Sequence, residues 1–228
     1  MAKPETAVAR ASGHADLPDF ENPLDADGDG IYELQISVSD GTSPAILRDI
    51  TVTVTDQDPE TVAFSLFNAS QSPDQIVTND PTAYELGVRF ISSIGGDLTE
   101  LRYWRGNADA FDTDIRTLNL WDQNGVLLTS VTVQSNPGAT GWQSGILDSA
   151  VELTPDALYV ASYGTTQNYA FTSNYFADDR TDSSGMLTAP SAGGNGVFRA
   201  GSTGLFPNAS YNASNYWVDI VIEPTFDI

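Results

Sequence analysis

Five carboxylates lie close together near the start of the chain and could bind a metal ion. Asp25, Asp27 and Asp29 alternate with small residues, and Asp19 and Glu21 lie just before them. Calcium binds six to eight oxygen atoms, and alternating carboxylates followed by a glycine supply part of such a set. We predict a Ca²⁺ site formed by Asp25, Asp27 and Asp29 with help from Glu21 or Asp19. A solvated acidic turn is the alternative.

Three of the four tryptophans fall in the same strand register as polar or charged residues. Trp104 lies two positions from Arg102, Trp121 two positions from Asn119, and Trp217 two positions from Asp219, so each pair shares one face of a strand. An indole beside arginine and aspartate on an open sheet face can stack on a sugar ring while the charged groups bind its hydroxyls. The predicted ligand-binding residues are Arg102, Trp104, Trp121, Trp217, Asp219 and Asn215.

A covering sheet or loop would instead make these tryptophans core residues. In that case a ligand site would have to lie in the loops around Trp142, Asn195 and Tyr211.

Composition excludes several kinds of chemistry. The chain has 228 residues, with 31 acidic and 9 basic side chains and a net charge of −22. It has no cysteine and one histidine, which excludes disulfides and thiolate chemistry and disfavours a histidine triad. The negative charge opposes binding to nucleic acid, and no apolar run predicts membrane insertion. No nucleophile elbow or phosphate loop is present, so we expect no enzymatic activity, with a carbohydrate-active enzyme as the least favoured alternative.

The elements that would position these residues are strands. Apolar and polar residues alternate over 32–40 and 50–55, and residues 57–60 resemble a linker. Further strand-like runs cover 62–67, 84–91, 98–105, 117–121, 126–133, 158–163, 197–199 and 216–222. No stretch has a helical period, and 173–196 is predicted to be irregular. The pattern predicts an all-β protein whose larger part is a sandwich.

Two resemblances extend this interpretation, and the first concerns the N-terminal part. The run from Asp19 to Asp29, the strand end at Val38–Gly41 and the run from Thr51 to Asp56 resemble the closing half of a bacterial cadherin-like repeat. Such repeats are calcium-rigidified β-sandwiches arranged in tandem on surface proteins. A complete repeat is longer, so either the chain is a fragment or these two strands pack on the following domain.

The second resemblance covers residues 61–224. It rests on the segments Glu85–Phe90, Leu101–Gly106, Leu120–Asp122, Gly141–Gln143, Tyr159–Tyr163, Gly194–Arg199 and Ser214–Asp219. In this order they resemble the bacterial domain-of-unknown-function family 4082. That family occurs beside cadherin-like and immunoglobulin-like repeats in exported multidomain proteins, so the resemblance implies a context rather than a reaction.

The resulting prediction has three parts along the chain. Residues 1–17 form an N-terminal tail, 18–58 a partial cadherin-like calcium-binding segment, and 61–224 a jelly-roll-like β-sandwich. The expected function is a calcium-binding, non-catalytic carbohydrate-binding or adhesive module of a secreted or cell-surface protein. Its expected partners are a polysaccharide or glycan and the neighbouring domains of a longer chain. A calcium-rigidified structural spacer is the alternative.

Overall fold

The architecture is all-β and consists of two compact units, Met1–Glu60 and Thr61–Ile228. It is described by a computed structural model that covers residues 27–29, 31–39, 42–53, 63–77, 79–107 and 115–224. Every strand pair among these residues is antiparallel. The predicted tail at 1–17 lies outside the described residues.

The first unit contains a hairpin of strands β1 (Ile31–Val38) and β2 (Ile46–Thr53). Both strands predicted in this part of the chain are confirmed, although β2 begins earlier than expected. The register pairs Leu34 with Ile50, so the apolar residues of the two strands share one face. This face is open, since Leu34 and Ile50 keep 43% and 39% of their surface exposed.

The second unit contains thirteen strands in the described residues. They are β3 (Gln75–Val77), β4 (Tyr84–Ser92), β5 (Gly96–Arg105), β6 (Ile115–Asp122), β7 (Leu127–Gln134), β8 (Gly141–Leu153), β9 (Leu158–Thr165), β10 (Tyr169–Phe171), β11 (Arg180–Thr181), β12 (Leu187–Ala189), β13 (Val197–Ala200), β14 (Ala209–Ser210) and β15 (Val218–Pro224). An eight-stranded sheet has the order β11-β12-β4-β9-β6-β7, with β13 and β14 joined beside β4. A second sheet has the order β15-β5-β8, and β3 pairs with β10.

The hydrophobic core lies between the two larger sheets. Leu118 and Leu120 of the eight-stranded sheet and Leu101 and Tyr103 of the three-stranded sheet are all 0% exposed and belong to one cluster. These residues alternate with Arg102 and Trp104 and with Asn119 and Trp121, which the sequence placed in the other register, and the predicted sandwich is confirmed.

A predicted strand is missing from the structure, and the longest observed strand was not predicted. Residues 63–67 form no strand, and Phe64 contributes only an isolated bridge to Ile222. The longest strand, β8 with 13 residues, was not predicted. Its pairing with β5 shifts register between Leu98 and Glu100, so the period of two is interrupted and the alternation signal is lost. Residues 173–196 contain only the short strands β11 and β12, as the irregular pattern predicted.

In the part of the chain that the structure describes, no helix is long and apolar enough to cross a membrane.

Candidate functional site

The predicted ligand residues Arg102, Trp104 and Asp219 share the outer face of the three-stranded sheet. Arg102 and Trp104 project from β5 on the side opposite the core. The register pairs Arg102 with Asp219 on β15 and Trp104 with Trp142 on β8. The alternation therefore assigned these side chains to one face correctly.

Asp219 is fully buried on this face and pairs with Arg102. Its Oδ1 atom accepts hydrogen bonds from the backbone N–H of Leu66 at 2.9 Å and of Ile220 at 2.8 Å. Burial raises the pKa of Asp219 to about 6, while the Arg102 guanidinium and the two N–H groups act in the opposite direction. The bond to Leu66 holds the segment that contains Leu66 across the outer face of the sheet. A ligand cannot reach this carboxylate without displacing that segment.

Phe67 covers the aromatic side chains of the same face. Its ring lies 5.9 Å from Trp142 in a stacked arrangement and 5.4 Å from Trp217. Trp104 completes the cluster with an edge-to-face contact to Trp142 at 5.4 Å. Aromatic pairs at these distances stabilise a fold beyond the area that they bury. The covering loop that was the alternative to an open face is therefore present.

Trp217 and Asn215 are buried within this cluster, at 1% and 0% exposure. Trp217 has a φ of 56°, a left-handed conformation that costs about 1–2 kcal/mol for a residue with a side chain. Its backbone N–H donates to Asn215 Oδ1 at 2.7 Å, and its indole N–H donates to Thr172 Oγ1 at 3.2 Å. These bonds hold the strained residue in place. The expectation that Trp217 faces solvent is wrong, because Phe67 and Tyr175 pack against its ring.

Trp121 belongs to the other sheet and is also buried, at 6% exposure. Its indole N–H donates to Ser162 Oγ at 2.8 Å, and its ring packs edge-to-face on Phe206 at 5.8 Å. The expectation of an exposed Trp121 is wrong, and the tryptophans do not form one platform.

Arg102, Trp104 and Trp142 remain partly exposed at the edge of the cluster. The Arg102 guanidinium lies 5.3 Å from the centroid of the Trp142 ring, within cation–π distance. Of the predicted ligand residues, only Arg102 and Trp104 reach solvent here.

A groove of about 620 Å³ lies beside the segment that covers the sheet. Its walls come from two stretches far apart in sequence, one before β3 and one that includes β11. The lining residues are Ala63, Phe64, Ser65, Leu66, Asn68, Gln71, Tyr175, Arg180, Thr181, Asp182, Ser183 and Ser184.

Tyr175 of the groove is held by ring contacts and by a hydrogen bond. Its ring packs edge-to-face against Phe67 at 5.9 Å and against Trp217 at 5.6 Å. Its hydroxyl accepts a hydrogen bond from Gln71 Nε2 at 2.9 Å, and burial raises the pKa of this hydroxyl. The buried cluster therefore supports a half-exposed ring in a fixed orientation.

The polar groups of the groove are oriented by local hydrogen bonds. Arg180 Nε donates to the Tyr175 carbonyl at 2.8 Å, and the guanidinium lies 5.0 Å from the centroid of the Tyr175 ring. Asp182 accepts the backbone N–H of Leu187 at 2.8 Å and of Ser184 at 3.0 Å, so its carboxylate holds the turn. The bond from Arg180 Nε to the Tyr175 carbonyl therefore fixes the orientation of the guanidinium group.

This set of groups can hold a polyhydroxylated ligand. The part of the Tyr175 ring that the Arg180 guanidinium does not cover offers apolar contact to a sugar ring. The amide groups can donate to and accept from hydroxyls, and the guanidinium can donate to them. Ligand sites commonly combine a largely preformed cleft with a few fixed polar groups, as here.

The predicted calcium residues are described only in part. Asp27 and Asp29 lie in an exposed bend before β1, where Asp29 Oδ1 accepts the N–H of Ile31 at 2.8 Å. Asp19, Glu21 and Asp25 lie outside the described residues. Among the residues that the structure covers, no group of three or more histidine, cysteine, aspartate or glutamate side chains could hold a metal ion. The two described carboxylates are hard oxygen donors of the kind that calcium prefers.

Sequence reasoning missed Tyr175, Arg180 and Gln71. Tyr175 and Gln71 are 104 positions apart and meet only because the irregular segment folds back over the sheet. Local alternation carries no signal for such a contact. The only available sign was the tyrosine and arginine content of the segment that was predicted to be irregular.

Comparison with known protein families gives a match. Residues 70–218 match a family model described as "Domain of unknown function (DUF4082)". No curated protein matches the chain. The matched range includes Gln71, Tyr175 and the β11 wall of the groove.

Proposed function

Because this chain belongs to the DUF4082 family, which has no assigned function, we propose a function from the geometry of the groove. The chain is a non-catalytic, calcium-binding module that binds a polysaccharide or another glycan, in the manner of a carbohydrate-binding or adhesive domain.

The observation that carries this proposal is the groove beside Tyr175. Its volume of about 620 Å³ lies within the range of known ligand sites, roughly 300–1,000 Å³. It combines a half-buried aromatic ring with the amides of Asn68 and Gln71 and the guanidinium of Arg180. The buried cluster behind Tyr175 fixes the ring before a ligand arrives, which reduces the entropy lost on binding.

Charge indicates the class of glycan. The net charge of −22 repels acidic polysaccharides at long range. Among the described residues that line the groove, Arg180 is the only cationic one, and Asp182 lines the same groove. Arg102, Arg105 and Arg199 are not among the lining residues. A neutral glycan therefore fits this groove better than a strongly acidic one.

A glycan array with calcium present tests the proposal, followed by calorimetry on any glycan that binds. Tyr175→Ala should weaken binding at least about tenfold, or ~1.4 kcal/mol, because the stacking surface is lost. Tyr211→Ala is the matched comparison, since Tyr211 is 64% exposed, lies outside the groove and belongs to the loops that were the alternative site. Loss of binding in Tyr211→Ala but not in Tyr175→Ala would assign the ligand to those loops instead.

A second variant separates binding from folding. Arg180 is exposed, so Arg180→Ala should leave the melting temperature unchanged while it weakens glycan binding. Glycan binding that is unaffected by both Tyr175→Ala and Arg180→Ala would contradict this site.

A structural spacer is the second candidate function, and the burial of Trp121 and Trp217 favours it. A spacer needs no exposed indole and no ligand. A silent array, together with calcium-dependent stiffening of the chain, would make the spacer the better explanation.

The cellular context forms part of the same proposal. The resemblance of residues 18–58 to a cadherin-like repeat supports calcium binding and tandem neighbouring domains as partners. An acidic chain without cysteine fits a secreted or cell-surface location.

A further inference from the structure

Two amide side chains line the groove beside Tyr175, and their oxygen atoms are already engaged. Asn68 Oδ1 accepts from the backbone N–H of Ser70 at 3.0 Å and from the Ser70 hydroxyl at 2.6 Å. Gln71 Oε1 accepts from the backbone N–H of Asn68 at 2.9 Å. The acceptor atoms of both amides therefore bind donors of the chain itself.

The carboxylate of Asp182, on the opposite wall of the groove, is engaged in the same way. Its Oδ1 atom accepts from the N–H of Leu187 at 2.8 Å, and its Oδ2 atom accepts from the N–H of Ser184 at 3.0 Å. The hydroxyl of Ser184 also donates to Oδ2. Both carboxylate oxygens thus hold the turn between β11 and β12.

The donor groups of these walls are not used in this way. Asn68 Nδ2 and the two terminal nitrogens of Arg180 donate to no residue that the structure describes, and both side chains are exposed. The Tyr175 hydroxyl accepts from Gln71 Nε2 at 2.9 Å and gives its own proton to no acceptor in the described ranges. Burial raises the pKa of Tyr175, so this hydroxyl keeps its proton.

This division between used acceptors and available donors favours a ligand group that accepts without donating at the same atom. A carboxylate or a sulfate would pair strongly with a guanidinium group, but the net charge of −22 opposes the approach of an anion. A sugar hydroxyl donates as well as accepts, so its proton needs an acceptor of its own. A neutral carbonyl oxygen meets the available donors without this requirement.

We propose that the groove recognises the acetamido group of an N-acetylated sugar, an inference that rests on the glycan-binding function proposed above. The acetamido carbonyl accepts from the donors of Asn68, Arg180 and Tyr175, while the sugar ring lies against the uncovered part of the Tyr175 ring. In a trans amide the N–H points away from the carbonyl, so it can remain in water. Phe64, a half-buried residue of the same lining, offers apolar contact to the acetyl methyl group.

Four trisaccharides test this proposal by calorimetry on the whole chain at constant ionic strength. Tri-N-acetylchitotriose and cellotriose have the same backbone and differ in the acetamido group. Deacetylated chitotriose has ammonium groups in its place, and trigalacturonate has carboxylates. The acetylated trimer should bind at least about tenfold more tightly than cellotriose, because each hydrogen bond to a charged donor contributes to the difference. It should also bind more tightly than either charged trimer, although the acidic chain attracts the ammonium form.

An isosteric variant tests the donor directly. Asn68→Asp replaces the Nδ2 donor by an acceptor oxygen, and its Oδ1 atom can keep both bonds from Ser70. It should reduce the preference for the acetylated trimer over cellotriose severalfold. Asn136→Asp adds the same charge at an exposed position outside the groove and should leave the preference unchanged.

A second variant separates the hydroxyl of Tyr175 from its ring. Tyr175→Phe keeps the apolar face and removes the O–H donor, so it should weaken binding of the acetylated trimer severalfold and of cellotriose much less. Tyr175→Ala removes the face as well and should weaken both.

Acetyl recognition is overturned if the acetylated trimer and cellotriose bind equally, if either charged trimer binds more tightly, or if Asn68→Asp and Tyr175→Phe both keep the preference that Asn136→Asp shows. Equal binding that is lost in Tyr175→Ala would leave the glycan site itself intact. If no trimer binds, this inference is overturned, and the glycan array decides separately whether the groove binds a glycan at all.

Discussion

At the scale of single residues, this fold buries two carboxylates in different ways. Asp219 pairs with Arg102 and organises the covering segment, whereas Glu85 has hydrogen-bond donors but no ion pair among the described residues. Both pKa values are raised because burial disfavours the charged form. The pH dependence of stability should therefore report on these groups.

Asp219→Asn tests the first of them. The folded pKa of about 6 exceeds the ordinary value of 3.8, so the folded state binds more protons than the unfolded state between these values. Stability contributed by Asp219 is thus fully present below about pH 4 and is lost as the pH rises to about 6. The free energy of unfolding of the unmodified chain, relative to Asp219→Asn, should fall by about 2–3 kcal/mol across this window.

Urea denaturation of both proteins between pH 4 and pH 7 measures this difference, and a carbon-detected NMR titration gives the pKa directly. Asparagine can keep the hydrogen bonds from Leu66 and Ile220 through Oδ1, but it loses the bond that Arg102 donates to Oδ2. The test is therefore the change of the stability difference with pH and not its value at one pH. A difference that rises with pH would mean that pairing with Arg102 outweighs burial and that the pKa is lowered.

The residue scale also shows how far the sequence could predict the site. Alternation correctly assigned Arg102, Trp104 and Asp219 to one face, because side chains two positions apart point the same way. It could not show that Leu66 and Phe67 cover that face. Leu66 is 153 positions from Asp219, and a contact at such separation has no local pattern. The exposed-tryptophan hypothesis therefore failed for a tertiary reason, although the strand register was right.

At the scale of elements, two features of β8, the longest strand, explain why it left no alternation signal. Its bulge interrupts the period of two, and its inward position 145 is a glycine rather than a large apolar residue. A Cβ atom at Gly145 would lie 2.6 Å from Val131 Cγ1 and 2.9 Å from Val133 Cγ2. The close approach of β7 therefore requires glycine, and it removes the apolar residue that would have marked the strand.

Gly145→Ala should consequently destabilise the sandwich by about 1–3 kcal/mol, the usual cost of overpacking a core. Ser144→Ala in the same strand is the control and should change stability by less than ~0.5 kcal/mol, since Ser144 is exposed. The free energies come from urea denaturation monitored by tryptophan fluorescence. Adding Val131→Ala to Gly145→Ala should recover part of the loss. A double variant with purely additive losses would contradict a clash with Val131.

At the scale of the whole molecule, charge is distributed unevenly. Residues 1–60 have 13 acidic and 3 basic side chains, a net charge of −10 out of −22 for the chain. The described part of this unit has one hairpin, and a two-stranded hairpin is marginally stable in water by itself. The proposed calcium ion would reduce repulsion between the carboxylates and stabilise the residues before β1.

Calcium should therefore raise the stability of the N-terminal unit by about 1.4 kcal/mol when its concentration is ten times the dissociation constant. Calcium should also shift the amide NMR signals of Asp27, Asp29 and Ile31, and a chelator should reverse both effects. Asp27→Ala should abolish the response, because it removes the central carboxylate of the predicted site. Asp148→Ala removes the same charge from an exposed position in the second unit and should leave the response intact. If magnesium at equal ionic strength stabilises the chain as well as calcium does, and Asp27→Ala responds like Asp148→Ala, the effect is general screening of a strongly acidic protein and the calcium site is disproved.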